Sequence, residues 1–205
     1  DLTIESEAAT LLAMRLARAC DRADTDEHEA LIRRLGTAVG KYWAAKRAPT
    51  HAAEALECLG GNGYVEESIM PRLYREAPLG SIWEGSGNVN CLDVLRAIAK
   101  EPATLQAFLT EVSLAQGADS RLDAAITRFK HELTDLSNME VRARRLVEQM
   151  ALLLQGSLLV QYGQPAVADA FCASRLGGDW GRAFGTLPAG TDFSTIIARV
   201  QTQLA

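Results

Sequence analysis

Two glycine clusters in the first half of the chain frame the residues best suited to chemistry. Residues 60–63 read Gly-Gly-Asn-Gly, and residues 84–87 read Glu-Gly-Ser-Gly. Because glycine lacks a Cβ, it adopts positive φ and lets other groups approach the main chain, so glycines at helix ends can expose N–H groups to an anion. Two such turns with one carboxylate, Glu84, suggest a cofactor site.

A purely structural interpretation of these glycines stays open. Glycine is the commonest residue just after a helix, where it caps the last carbonyls. The dinucleotide fingerprint G-x-G-x-x-G fits neither cluster, because no predicted strand leads into them. Spacing alone therefore does not decide between a helix cap and a binding turn.

The elements that must position the two turns are predicted to be helices. Apolar residues at helical spacing over 11–19 predict a first helix that ends near residue 20. A second, unusually long helical pattern covers 27–59, and Pro49 in its middle is expected to kink the helix or divide it in two. A short helix is predicted over 71–76.

The second half continues the helical pattern. Ser86 or Asn88 can cap a helix that runs to residue 100. Further helices are predicted over 102–115, 120–134, 138–162, 165–176 and 192–204. The glycine-rich stretch 177–192 is predicted to be an ordered loop, anchored by burial of Trp180 and Phe184.

These lengths and short connections predict an all-α protein. An antiparallel helical bundle is expected over residues 1–100, followed by a second, smaller helical unit over residues 101–205. The first residues read as a helix already under way and carry no secretion signal, so the chain is expected to be the C-terminal part of a longer protein.

Composition and charge argue against several classes of protein. A net charge of −5 argues against general electrostatic attraction to nucleic acid. The four cysteines lack C-x-x-C spacing, which argues against a zinc site or a disulfide framework and favours reduced thiols in a cytoplasmic setting. No apolar run approaches the roughly 20 residues that span a bilayer, so no membrane segment is expected.

Three motifs in order resemble the C-terminal helical domain of the acyl-CoA dehydrogenases. They are LGGNGY at 59–64, YREA at 74–77 and IWEGS at 82–86. The string MPRLYREAPLGSIWEGSGN, followed by LDVLR, is most similar to a branch of bacterial flavoproteins associated with the response to DNA alkylation. The resemblance is specific over residues 1–100 and looser over residues 101–205.

The resemblance implies that Glu84 removes the α-proton of an acyl-CoA thioester while the β-hydrogen leaves as hydride to FAD. Abstraction of such a weakly acidic proton favours a carboxylate in apolar surroundings, which Ile82 and Trp83 are expected to supply. In the alternative interpretation, Glu84 merely places a negative charge at a helix start. Trp83 replaces the more usual tyrosine and either narrows the substrate pocket or packs in the core.

The resemblance also places several residues against FAD. They are Glu57, Gly60, Gly61, Gly63, Gly85 and Ser86. The first glycine cluster matches a turn that approaches the FAD pyrophosphate, usually that of a partner subunit. Glu57 stands where glutamine is common, and its charge is unfavourable beside a pyrophosphate unless it points away or pairs with a base. Ser86 stands where threonine is common, and it can also be an ordinary N-cap.

A second function, association with double-stranded DNA, follows from the branch. The candidate contacts are Arg96, which Arg72 could join, and the cluster Arg142, Arg144 and Arg145. In that alternative the protein is a DNA-associated flavoprotein with weak dehydrogenase activity. Charged runs on helices are usually solvated faces, and this interpretation also stays open.

The intact protein is expected to be a homo-oligomer, a dimer or tetramer, that passes electrons to a separate acceptor. The resemblance implies N-terminal helices and a middle β-domain that supply most contacts to the flavin ring. The present chain alone is therefore expected to be inactive. In a third, purely structural alternative, residues 101–205 serve only oligomerisation.

Overall fold

All regular structure in the described part of the chain is helical. A computed structural model describes residues 1–135 and 137–201. The α-helices are α1 Leu2–Arg22, α2 Glu27–Cys58, α3 Gly61–Tyr64, α4 Met70–Glu76, α5 Gly87–Lys100, α6 Ala103–Val112, α7 Ser120–Glu132, α8 Met139–Tyr162, α9 Pro165–Phe171 and α10 Phe193–Gln201. Turns of 3₁₀-helix follow at Ala77–Ser81 and Ser113–Ala115, and a π-helical turn at Cys172–Leu176. The all-α prediction is confirmed, and residues 202–204 of the last predicted helix lie outside the described residues.

Of the two outcomes expected at Pro49, a kink or a division of the second helix, the division does not occur, because α2 continues through it. Proline has no N–H to donate to the carbonyl four residues earlier, here that of Ala45. The Ser81 hydroxyl donates to this carbonyl at 3.3 Å. The bond satisfies the carbonyl that Pro49 leaves free, and it ties the middle of α2 to the segment before the second glycine cluster.

Helices α1, α2, α5 and α8 pack around one hydrophobic core. The fully buried side chains of this core include Leu12, Leu35, Val39, Val94, Phe108, Phe129, Leu154 and Phe171. Val94 on α5 and Leu154 on α8 belong to the same cluster, so buried apolar packing is continuous across residue 100. The division into units 1–100 and 101–205 stays a prediction.

A buried group of charged side chains joins α1, α2 and α6. The Arg15 guanidinium contacts Glu29 at 2.7 Å and Glu111 at 2.5 Å, and the His28 ring lies 3.2 Å from Glu111. Burial opposes ionisation of Glu111, but hydrogen bonds from Arg15 and His28 outweigh it, so the pKa of this carboxyl is lowered. The three helices are thus connected by polar as well as apolar contacts.

Trp180 and Phe184 anchor the loop over 177–192, as predicted, and they contact α2. Trp180 and Phe184 are partly buried, and the Arg47 guanidinium carbon lies 5.7 and 5.0 Å from their ring centres. Glu5 on α1 accepts hydrogen bonds from Arg47 at 3.1 Å and from Arg175 at 2.9 Å. Glu5 thus holds the two arginines whose guanidinium groups contact the aromatic rings of the loop.

Three further features of the described chain bear on function. Within residues 1–135 and 137–201, no group of histidine, cysteine and acidic side chains is arranged to hold a metal ion. All four cysteines are free thiols. None of the helices in these ranges combines the length and apolar character that a membrane crossing requires.

Candidate active site

The turn before α5 places two consecutive residues at positive φ, Glu84 at 53° and Gly85 at 93°. Glycine tolerates this conformation, but for glutamate it costs on the order of 1–2 kcal/mol. Strain of this kind persists only where the surrounding structure imposes it, and it concentrates at functional sites. Glu84 is therefore marked by its conformation as well as by its sequence context.

The C-terminal side of this turn is fixed by the start of α5. The Asn90 side-chain amide donates to the carbonyls of Gly85 and Ser86, at 2.7 and 3.1 Å. Ser86 occupies the N-cap position, as predicted, but its hydroxyl makes no capping hydrogen bond within the described residues. The carbonyls of the turn are thus held by Asn90, which the sequence analysis did not single out.

The surroundings of Glu84 differ from expectation. Ile82 is 68% exposed and Trp83 is 58% exposed, and Glu84 itself is exposed. Trp83 therefore does not pack in the core of the described chain. Within the described chain these two side chains also do not enclose the carboxylate, so apolar surroundings would require a covering surface from outside it. The substrate-pocket role of Trp83 stays a prediction.

The first glycine cluster contains two different kinds of glycine. Gly60, at φ 58°, and Gly61 are exposed, and a Cβ added to either would meet nothing within 4 Å. Gly63 is buried, and a Cβ there would lie 2.2 Å from the Leu56 carbonyl oxygen. The Gly60 amide already donates to the Glu57 carbonyl at 2.9 Å. Gly60 and Gly61 thus leave space for close approach of a ligand, although the Gly60 amide is already paired, whereas packing requires Gly63.

An open cavity of about 1070 Å³ adjoins the same turn. Its lining includes Glu57, Glu66 and Glu67, together with Arg75. Arg75 donates two hydrogen bonds to Glu66, at 2.9 and 3.2 Å, so its charge is already paired. The main chain at this turn suits close approach of a ligand, but its acidic rim does not supply the positive charge that a pyrophosphate needs.

The two kinds of glycine lead to a testable contrast. Gly61→Ala is expected to leave the free energy of unfolding unchanged, since the added methyl group meets open space, and to weaken FAD binding by the intact protein. Gly63→Ala is expected to lower the free energy of unfolding by about 1–3 kcal/mol, because the methyl group meets backbone. Urea unfolding and FAD titration of the apoprotein check both. If Gly61→Ala binds FAD with unchanged affinity, the proposal that this turn contacts the cofactor is contradicted.

The arginines considered for DNA contact have acidic neighbours. Arg96 lies 3.6 Å from Asp93, and Arg142 and Arg145 both lie 3.3 Å from Glu132 on α7. The fourth candidate, Arg144, is exposed on α8. These pairings reduce the net positive charge of both patches, and DNA contact stays a prediction.

Lys41 was not predicted to take part in the site, yet its ammonium group donates to the carbonyls of Gly80 and Trp83. Lys41 lies far from the turn along the chain, so spacing gave no signal for it. Asn90 lies in the first turn of a predicted helix, where a side-chain amide often bonds nearby main chain, and this could have identified it.

Comparison with known proteins places this geometry in a family. The family model of the acyl-CoA dehydrogenase C-terminal domain matches residues 1–99, a span that contains both glycine clusters and Glu84. This part of the chain belongs to the acyl-CoA dehydrogenase family. The resemblance found in the motifs is thereby confirmed.

Sequence similarity between this acyl-CoA dehydrogenase chain and its relatives extends beyond residue 99. The chain is 42% identical over 171 residues to the putative acyl-CoA dehydrogenase AidB of Escherichia coli, covering 83% of this chain and 31% of AidB. It is 28% identical to acyl-CoA dehydrogenase family member 11 of Caenorhabditis elegans, covering 78% of this chain and 30% of that protein. The chain thus spans about a third of the length of either relative.

A solved structure supports the same placement. The crystal structure of Caenorhabditis elegans ACDH-11 in complex with C11-CoA superimposes with a TM-score of 0.77 at 26% identity, over 84% of this chain and 34% of that chain. The Bd2924 apo-form superimposes with a TM-score of 0.68 at 27% identity, over 78% of this chain and 32% of that chain. The fold of the relatives therefore includes most of the helices after α5.

Proposed function

We propose that this chain is the C-terminal part of an FAD-dependent acyl-CoA dehydrogenase in which Glu84 is the catalytic base. The observation that carries the proposal is the left-handed conformation of Glu84, an exposed carboxylate in a strained turn within the family's domain. The close relationship to proteins named as acyl-CoA dehydrogenases supports the same reaction class.

In the proposed reaction the carboxylate of Glu84 takes the α-proton of an acyl-CoA thioester. Bound FAD would accept the β-hydrogen with its electron pair, and a Cα–Cβ double bond would form in the product. Because Glu84 is exposed in this chain, its carboxylate is free to meet a substrate that lies on this surface. Ile82 and Trp83, also exposed, would contact the acyl chain or the covering surface that excludes water.

The cofactor would lie against main chain at both turns. Gly60 and Gly61 have open space where a Cβ would project, which suits the close approach of a dinucleotide, and Gly85 and Ser86 adjoin the base. Bound FAD would supply the two-electron acceptor. The acidic rim formed by Glu57 and its neighbours implies that positive charge for the pyrophosphate comes from elsewhere in the intact protein, such as its N-terminal part or a partner subunit.

Exposed apolar side chains support the expectation of such covering surfaces. Tyr64 is 77% exposed and Ile69 is 60% exposed. Ile82 and Trp83, the two residues before Glu84, are exposed to a similar degree. A concentration of large apolar groups at a surface commonly marks an interface. We therefore propose that this region faces the rest of the intact enzyme and a second subunit of a homo-oligomer, and that a separate protein or small-molecule acceptor reoxidises the flavin.

The proposal is tested on the intact protein. It is expected to purify with a flavin absorbance spectrum, and anaerobic addition of a saturated acyl-CoA is expected to bleach the flavin band. A control with free CoA, which has no acyl chain to oxidise, should leave the spectrum unchanged. A protein that binds no flavin, or whose flavin stays oxidised across saturated acyl-CoAs of increasing length, would contradict the proposed function.

A further inference from the structure

Side chains from two different helices donate hydrogen bonds to the strained turn at Glu84. Lys41, partly buried on α2, donates from its ammonium group to the Trp83 carbonyl at 3.0 Å and also to the Gly80 carbonyl. Asn90 on α5 donates from its side-chain amide to the Gly85 carbonyl at 2.7 Å. The two side chains therefore hold main chain on opposite sides of Glu84.

These two contacts hold main chain just before and just after Glu84. The Trp83 carbonyl belongs to the peptide group whose nitrogen is that of Glu84, so Lys41 restrains rotation about φ of Glu84. The Gly85 carbonyl belongs to the peptide group that joins Gly85 to Ser86, one beyond the group between Glu84 and Gly85, so Asn90 restrains the exit of the turn. With main chain held on both sides, the directions open to the Glu84 Cα–Cβ bond are restricted.

We propose that Lys41 and Asn90 are positioning residues that keep Glu84 in its left-handed conformation and so aim its carboxylate at the substrate. The proposal rests on the proposed role of Glu84 as the base. Neither residue touches the reacting atoms in this scheme, and each acts only through backbone carbonyls of the turn.

The chemistry of the contacts fits this role. An ammonium group is a strong, charge-assisted donor, and two carbonyl acceptors on one lysine bring together parts of the loop that are three residues apart. A glutamate released from such restraint would return to negative φ, which is the ordinary conformation of an L-residue. That change would swing the side chain away, and a misplacement of about 1 Å at a reacting group can cost about 100-fold in rate.

The experiment uses the intact flavoprotein with the variants Lys41→Met and Asn90→Ala. Methionine keeps an unbranched apolar side chain on α2 while removing the donor. Lys130→Met, on the exposed face of α7, and Asn88→Ala, exposed in the same first turn of α5, are the matched controls. Lys41→Arg restores a cationic donor and tests for rescue.

Two readouts separate positioning from catalysis. Amide hydrogen exchange of a peptide that covers residues 80–87 reports on the turn itself, whatever reaction the enzyme performs. Rapid mixing with acyl-CoA gives the rate of flavin reduction and the substrate dissociation constant. For Lys41→Met and Asn90→Ala we expect faster exchange and a reduction rate lowered by about 10- to 100-fold, with the dissociation constant little changed. Lys41→Arg should recover part of the rate, and both controls should match the wild type.

Each outcome decides the proposal. Unchanged exchange over residues 80–87 in both variants would overturn it, as would faster exchange with a normal reduction rate. If exchange rises but Glu84→Gln reduces the flavin normally, the proposed function fails while the restraint of the turn by Lys41 and Asn90 stands. If Lys41→Met does not fold, Asn90→Ala and Lys41→Arg still provide the test.

Discussion

Glu84→Gln is expected to slow flavin reduction by acyl-CoA in the intact enzyme by about 10²–10⁴-fold, the usual contribution of a positioned general base. Glutamine has nearly the same size and shape as glutamate, but its amide does not accept a proton at neutral pH. Substrate binding should therefore change little, and the loss should appear in the rate constant for reduction. Anaerobic rapid mixing with absorbance detection measures both quantities.

A matched glutamate separates this effect from a general loss of negative charge. Glu140→Gln, at an exposed position in the first turn of α8, should leave the reduction rate unchanged. If Glu84→Gln keeps the wild-type rate, the base is another residue. The strained conformation of Glu84 would then need a different explanation.

The helices were predictable because their signals are local. The apolar pattern of α8, predicted over 138–162, appears at Met139–Tyr162. The continuation of α2 through Pro49 has a non-local cause. Proline leaves the Ala45 carbonyl without its helical donor, and the Ser81 hydroxyl, from a segment that follows α2, supplies one. The sequence pattern within α2 does not indicate that contact.

The residues of the candidate site could be predicted from the sequence, but their burial and their hydrogen-bond partners could not. Glu84 and the glycines at both turns were recognisable because the motif residues are adjacent in sequence. The exposure of Trp83 was not, because burial depends on which surfaces meet, and part of the expected surface lies outside this chain. Lys41 was missed for a related reason, since its role depends on packing of α2 against a turn that follows two further helices.

The acidic partners of the basic cluster on α8 were not predictable for the same reason. Arg142, Arg144 and Arg145 are close in sequence and suggest a positive patch. The acidic partner Glu132 comes from the preceding helix α7 and lies 3.3 Å from both Arg142 and Arg145. A count of charge along one helix omits partners that a neighbouring helix supplies.

The largest expected loss of stability follows from Arg15, which the sequence analysis did not single out. Arg15→Met removes the cation between two buried carboxylates, Glu29 and Glu111, and breaking a buried ion pair from one side costs about 3–5 kcal/mol. The lower end of this range is expected, because Arg18 lies 3.2 Å from Glu29 and His28 lies 3.2 Å from Glu111. Urea unfolding followed by far-ultraviolet circular dichroism measures the change.

Arg18 provides the matched control for this prediction. It lies on the same helix as Arg15 and contacts the same Glu29, but its side chain is 52% exposed, against 7% for Arg15. Arg18 is half-exposed, and in its absence Glu29 keeps the ion pair with Arg15, so Arg18→Met should cost no more than the roughly 0–1 kcal/mol of a solvent-accessible ion pair. Equal losses for the two variants would contradict the view that burial, rather than the number of ion pairs, makes Arg15 important. A larger loss for Arg15→Met would identify this contact as a polar link between α6 and the helices that carry the candidate site.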